Sequence, residues 1–176
     1  LDLRTIDVAL ADMKTAGAGL GGTINDAFVA ATALGVADHA RHTGVAGDAP
    51  LRISVPVNRR VDEDGIGGNH WAPGRIDLEV SPTESPDDLM VRARRAVART
   101  VREPAYDLLP PITAALRRVP PSAAAGIFSG LSAGIDIAAS NVPGSPLPLH
   151  LCGQEVRRLV PFGPLSGAAI NVTLLS

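Results

Sequence analysis

Pro143 and Gly144 close the apolar run Gly134-Ile135-Asp136-Ile137-Ala138-Ala139 just after two polar residues, Ser140 and Asn141. No other stretch constrains the fold as tightly. Ile135 and Ile137 alternate with Asp136 and Ala138, the period of a strand with one buried face. Pro143 has no N–H to offer a ladder and Gly144 tolerates turn geometry, so the strand is expected to stop there. Ser140 and Asn141 then sit at a strand exit with their side chains on opposite faces. A strand end holds a hydrogen-bond donor rigidly. The pair reads either as a polar exit into a turn or as a donor set against developing charge, and the stretch alone leaves both open.

The other segments build an α+β chain around that strand. Leu3, Ile6, Leu10 and Met13 are spaced for one helical face, predicting a helix over 3–14 that the glycines at 17–22 break. Those glycines lack the following Lys-Ser/Thr of a phosphate loop, and no strand precedes them. Thr23 predicts a helix N-cap, with Asp26 able to return the bond to the cap nitrogen and to meet the positive end of the helix dipole. Ile24, Phe28, Ala31 and Leu34 mark its buried side as far as His39. Capping accounts for Asp26 but needs no amide at Asn25, which stays a site candidate.

Leu51–Val57 alternates as a strand with Pro56 near its end, and the clearest part of a second is Arg75–Val80. The two are expected side by side in one sheet. Between them stand Asn58-Arg59-Arg60 and Asn69. The arginine pair reads as a phosphate donor set or as solvated charges near carboxylates. Ser85-Pro86-Asp87-Asp88 starts a helix whose apolar side is Leu89, Ala93, Ala96, Val97 and Val101. Arg92, Arg95, Arg99 and Arg102 lie off that side and read as its solvated face. Pro110-Pro111 and Pro120-Pro121 open two further helices, to Leu116 and to about Leu131. Strands are expected over Glu155–Val160 and Ala168–Leu175. The predicted architecture is one mixed sheet with helices packed on one side.

Composition narrows the partners. A chain of 176 residues, 45% of them hydrophobic, can bury one substantial core. A net charge of −2 and an aromatic content of 3% argue against nucleic acid, which needs cations and stacking platforms. The single cysteine, Cys152, excludes an internal disulfide framework and fits a reducing, cytoplasmic setting. No apolar run approaches the about 20 residues of a membrane span. The chain opens on Leu1 rather than Met and stops at Ser176 inside an apolar run, so it is expected to be a piece truncated at both ends.

Asn25-Asp26 at a helix start, Pro56-Val57-Asn58-Arg59-Arg60, Gly68-Asn69, Ser140-Asn141-Val142-Pro143-Gly144, Pro148-Leu149-His150-Leu151-Cys152-Gly153 and Gly163-Pro164-Leu165 occur in that order. Together they resemble the C-terminal half of the bacterial wax ester synthase/diacylglycerol acyltransferase family, over nearly the whole of residues 1–176. Family members usually carry proline where Ser145 stands, and an aromatic near His150.

The resemblance implies the C-terminal half of a chloramphenicol-acetyltransferase-like fold with its active site between two similar halves. It implies transfer of a fatty acyl group from acyl-CoA, as co-substrate, to diacylglycerol or a long-chain alcohol, with no permanently bound cofactor and no metal. The general base would be the second histidine of a His-His-x-x-x-Asp-Gly motif in the N-terminal half, the expected partner. His39, His42, His70 and His150 are each isolated and none carries that spacing, so this chain alone is expected to be inactive. Ser140 or Asn141 would stabilise the oxyanion, while Asn25, Asp26, Asn58, Arg59, Asn69, Pro143 and Gly144 would bind substrate or shape the site. A cytoplasmic location with peripheral contact at the inner membrane or lipid droplets goes with that chemistry. Two other readings stand beside it: a relative that only binds or scaffolds, and another acyltransferase of the same fold, such as a polyketide-associated acyltransferase or a condensation domain.

Overall fold

A four-stranded mixed sheet carries the fold, with its strands in the spatial order Trp71–Leu78, Leu51–Asn58, Ile137–Val142 and Ile170–Leu175. The computed structural model describes residues 2–45, 49–60, 70–81, 83–163 and 167–176. β1 (Leu51–Asn58) and β2 (Trp71–Leu78) pair antiparallel from Leu51↔Leu78 to Asn58↔Trp71. β3 (Ile137–Val142) runs parallel to β1 on one side and to β6 (Ile170–Leu175) on the other. A separate short hairpin joins β4 (His150–Leu151) to β5 (Gln154–Glu155) through Cys152 and Gly153, both at positive φ.

One face of the sheet is dry. Ile53, Val55, Ile76, Leu78, Ile137 and Ala139 meet Phe28, Val29 and Ala33 of α2 (Ile24–His42) and Leu89, Met90 and Ala93 of α3 (Pro86–Val101). Each fully buried Val, Leu or Ile side chain in such a layer contributes about 1.5–3 kcal/mol relative to exposure. The predicted mixed sheet with a helix layer on one side is therefore the observed architecture. Both helices start as expected. In α3, Ser85 accepts from the Asp88 amide at 3.1 Å and Pro86 occupies the first turn.

Several boundaries differ from the sequence reading. The first helix, α1, is Leu10–Gly19, not 3–14. Leu3 and Ile6 are 57% and 86% exposed, so the helical spacing ahead of Leu10 has nothing to pack against. The helix instead continues through Gly17, where a Cβ would lie 2.6 Å from the Thr23 carbonyl oxygen. Glycine is needed there because the backbone of the next helix start is that close. β3 starts two residues later than Ile135 and ends at Val142, so Ser140 and Asn141 lie inside the strand and not at its exit. Pairing with β6 decides this, since the ladder runs unbroken from Ile137↔Ile170 to Val142↔Leu175.

The strand expected over Glu155–Val160 reduces to the two residues of β5. Pairing only with the equally short β4, it has no sheet to extend along. A 3₁₀ segment, Pro104–Leu108, precedes α4 (Leu109–Leu116), and α5 spans Pro121–Ser132. Among the described residues, no single helix is long and apolar enough to cross a membrane.

Candidate functional site

The three parallel strands β1, β3 and β6 end at one edge of the sheet, and β2 begins there. Open sheets with parallel strands bind ligands at that edge. Asn58 ends β1 and Arg59 leaves it at this edge, where Ser140–Val142 end β3 and Pro143-Gly144 leave it. Ile24, at the start of α2, lines a small pocket of about 120 Å³ with Leu174, Leu175 and Ser176 of the β6 end. Asn25 and Asp26 thus lie at the same edge. Segments more than 100 residues apart in sequence converge there. Asn69 lies outside the described residues.

Their local roles differ. Asp26 is buried and its Oδ2 accepts from the Thr23 amide at 2.8 Å and from the Thr23 hydroxyl at 3.0 Å, while its own amide donates to Thr23 Oγ1 at 3.3 Å. This reciprocal capping box occupies the carboxylate. Asn25 is half-buried at the second helical position, and its side chain makes no hydrogen bond among the described residues. Asn58 Oδ1 accepts from the Arg60 amide at 3.0 Å, fixing the turn out of β1. The Arg59 guanidinium pairs with Asp107 of the 3₁₀ segment, as the solvated-pair reading expects. Nearby, burial pushes the Tyr106 phenol above its usual range and Glu103 adds to the shift, against the pull of Arg59.

Ser140 and Asn141 separate cleanly by face. Asn141 follows Ile137 and Ala139 on the helix-covered side, level with Leu174, and its Oδ1 accepts from the Ser176 hydroxyl at 3.0 Å. Ser140 follows Ala138 on the open side, level with Thr173. Its hydroxyl has no hydrogen-bond partner among the described residues. Thr173 turns its own hydroxyl to Asn171 Oδ1 at 3.0 Å. Gly144 donates its amide to the Ser176 carbonyl, and a Cβ there would stand 3.2 Å from that oxygen. The Pro143-Gly144 turn is thereby tied back onto the end of β6.

Ser140 has no ladder partner on β1. The ladder between β1 and β3 consists of Ile53↔Ile137 and Ser54↔Ala138 and goes no further, although β3 continues to Val142. Pro56 supplies the reason. It stands opposite Pro73 in the β1–β2 ladder, and two prolines can only face each other in a non-hydrogen-bonded pair. The N–H that Pro56 lacks is then the one that would have reached toward β3. With that bond absent, the ladder stops short of the level of Ser140.

Sequence reasoning missed the anchor at the other end of β3. Asp136 accepts from the Arg52 amide at 2.9 Å and from its guanidinium at 3.0 and 2.7 Å. The hydrogen bond from Arg52 holds the Asp136 carboxyl below its usual range, outweighing the opposite effect of partial burial. Gly134, at φ +80°, leaves room for that guanidinium, since a Cβ would lie 2.8 Å from Nη1. The polar members of the last strand, Asn171 and Thr173, were also readable, since their two-residue spacing places both on the open face. Among the described residues no cluster of His, Cys, Asp and Glu is arranged to hold a metal.

Residues 68–176 match the WS/DGAT C-terminal domain family. The chain belongs to the WS/DGAT family. A "putative diacyglycerol O-acyltransferase" of Mycobacterium tuberculosis H37Rv is 34% identical over 173 residues, covering 98% of this chain and 35% of that protein. A second "putative diacyglycerol O-acyltransferase" of the same strain is 28% identical over 165 residues, 89% of this chain and 36% of its own length. The wax ester synthase/diacylglycerol acyltransferase of Marinobacter aquaeolei VT8 has a similar structure, with a TM-score of 0.55 at 14% identity, over 86% of this chain and 34% of that one. The chain thus spans about a third of the length of the curated relatives it matches. It shares the fold of that structure, the chloramphenicol-acetyltransferase-like fold that the motifs imply.

Proposed function

We propose that this WS/DGAT domain is half of a CoA-dependent O-acyltransferase that moves a fatty acyl group from acyl-CoA to diacylglycerol or a long-chain alcohol. The observation that carries the reading is Ser140, an unengaged hydroxyl on the open sheet face just past the end of the β1–β3 ladder. In the proposed reaction a histidine of a His-His-x-x-x-Asp-Gly half takes the proton of the acceptor hydroxyl. The acceptor oxygen attacks the thioester carbonyl and forms a tetrahedral oxyanion. Ser140 donates its hydroxyl hydrogen to that oxyanion, a donor geometry that costs no reorganisation because the strand is rigid. Collapse breaks the carbon–sulfur bond, the histidine returns the proton to the CoA thiolate, and an ester remains.

Asn141 in this reading braces the strand through Ser176, and Asn25 faces the channel from the start of α2. Asp26, Asn58, Arg59, Asn69, Pro143 and Gly144 shape the edge. Acyl-CoA is a co-substrate and no resident cofactor takes part. The same proposal puts the protein in the cytoplasm with peripheral contact at the inner membrane or lipid droplets. The exposed Leu108, Ile112, Val119 and Ile127 of the α4–α5 region support that contact.

The test is thiol release from a long-chain acyl-CoA with alcohol present. The isolated 176-residue chain is expected to show no turnover above the uncatalysed rate. Joined to a half carrying the histidine motif, it is expected to turn over. Turnover by the isolated chain, or none by the joined protein, overturns the reading.

A further inference from the structure

Two hydroxyls stand side by side on the open face of the sheet. Ser140 of β3 and Thr173 of β6 are register partners in a parallel pair, so their side chains leave the same face about 4.8 Å apart. They differ in what their hydrogens do. The Ser140 hydroxyl is unengaged among the described residues, whereas the Thr173 hydroxyl donates to Asn171 Oδ1 at 3.0 Å. Asn171 lies on the same strand and the same face, level with Ala138. An amide oxygen only accepts, so this bond uses the single hydrogen of Thr173 and leaves its oxygen an acceptor. Asn171 is itself confined. A Cβ at Gly163 would stand 2.7 Å from Asn171 Nδ2 and 3.0 Å from Oδ1, so the backbone there lies directly against the amide.

A donor beside an acceptor selects a ligand that carries the opposite pair. In the acyl-transfer reading the thioester oxygen takes the Ser140 hydrogen. The attacking hydroxyl gives its hydrogen to the histidine and has none for Thr173, and neither the thioester carbonyl nor its sulfur is a donor. The next polar group along acyl-CoA is a secondary amide, separated from the sulfur by two methylenes. Its N–H is the nearest donor that the reaction leaves unspent. From the thioester carbon to that nitrogen is about 5 Å when extended, close to one strand spacing.

We propose that Thr173 accepts a hydrogen bond from the amide N–H nearest the thioester of the acyl donor, and that Asn171 is the positioning residue that makes Thr173 an acceptor. The inference rests on the acyl-transfer reading and deepens it. The test uses the protein that joins this chain to a half carrying the histidine motif, with two small donors of the same fatty acyl group. One is the thioester of N-acetylcysteamine, which keeps the amide. The other is the thioester of mercaptoethyl acetate, in which an ester oxygen replaces the N–H. The amide donor is expected to have about tenfold higher kcat/KM. Thr173→Val keeps the shape of the side chain and removes the acceptor, so it should bring the ratio close to one by slowing the amide donor alone. Asn171→Ala releases the Thr173 hydrogen and should narrow the ratio. Asn171→Asp, whose carboxylate only accepts, should restore it.

A merely structural Thr173 would slow both donors equally on replacement, and that result overturns the proposal. So does a ratio near one in the parent protein, or a tenfold ratio that survives Thr173→Val. A ratio unmoved by Asn171→Ala overturns the part given to Asn171. Turnover of acyl-CoA with neither small thioester accepted sinks this inference alone and leaves the acyl-transfer reading standing. No turnover of acyl-CoA sinks that reading, and this inference with it.

Discussion

The two faces of the sheet are made from the same strands, yet they serve different ends. On the covered face Ile53, Val55, Ile76, Leu78, Ile137 and Ala139 are dry and packed against α2 and α3. On the open face the intervening residues, among them Arg52, Ser54, Arg75, Asp77, Ser140 and Thr173, keep polar groups within reach of a partner or ligand. A period of two forces this division, because adjacent side chains in a strand cannot share a surface. In the proposed reading, stability belongs to one face and chemistry to the other. Ser140 and Asn141, neighbours in sequence, fall on opposite sides of that line.

Replacement on the open face should produce the largest functional effect. In a protein that joins this chain to a half carrying the histidine motif, Ser140→Ala should lose roughly 10²–10³ in kcat with little change in apparent affinity for acyl-CoA. Asn141→Ala should appear mainly in the melting curve. If kcat falls for Asn141→Ala and holds for Ser140→Ala, the division by face is wrong.

The covered face should fail in the opposite manner. Ile53 is 0% exposed, and Ile53→Ala should cost about 2–5 kcal/mol of stability, read from denaturant midpoints at constant slope. A cost below about 1 kcal/mol would mean that this face is not the core.

Asp26→Asn sharpens the comparison where α2 meets the site edge. Loss of the charged half of the capping box should cost about 1 kcal/mol and leave most turnover in the joined protein. A large fall in kcat with an unchanged melting curve would move Asp26 into the catalytic site.

The smallest effect belongs to the Arg52–Asp136 anchor, which is partly solvent-screened. The Asp136 carboxyl is held below its ordinary value of 3.8, so its contribution is present above that pH and disappears as pH falls through the lowered value. Acid titration of stability should therefore show a small drop below about pH 4, and Asp136→Asn should abolish it. An identical acid limb in the variant would mean the pair contributes nothing.

Much of the covered face was legible in sequence. The alternation in Leu51–Val57, the Thr23 and Ser85 caps and the apolar side of α3 are local signals, and each produced the expected element. Local signals failed where pairing decides. β3 extends to Val142 because β6 lies alongside it, and the run around Val156 forms little strand because no sheet edge is offered to it. Helical spacing at Leu3 and Ile6 could not make a helix without a surface to cover.

By itself the sequence determined the starts of α2 and α3, the alternation of β1, the one-sided sheet and, through its ordered motifs, the WS/DGAT family. These depend on covalent neighbours within a few residues, whose caps, prolines and side-chain alternation act over one turn or one pleat. Only the tertiary structure decided which of Ser140 and Asn141 faces the open side, that Arg52 reaches Asp136, and that Pro56 stands opposite Pro73 where the β1–β3 ladder ends. Each of these is a relation between segments far apart in the chain. Strand register sets it, and no local interaction encodes which residue of one strand stands beside which residue of another.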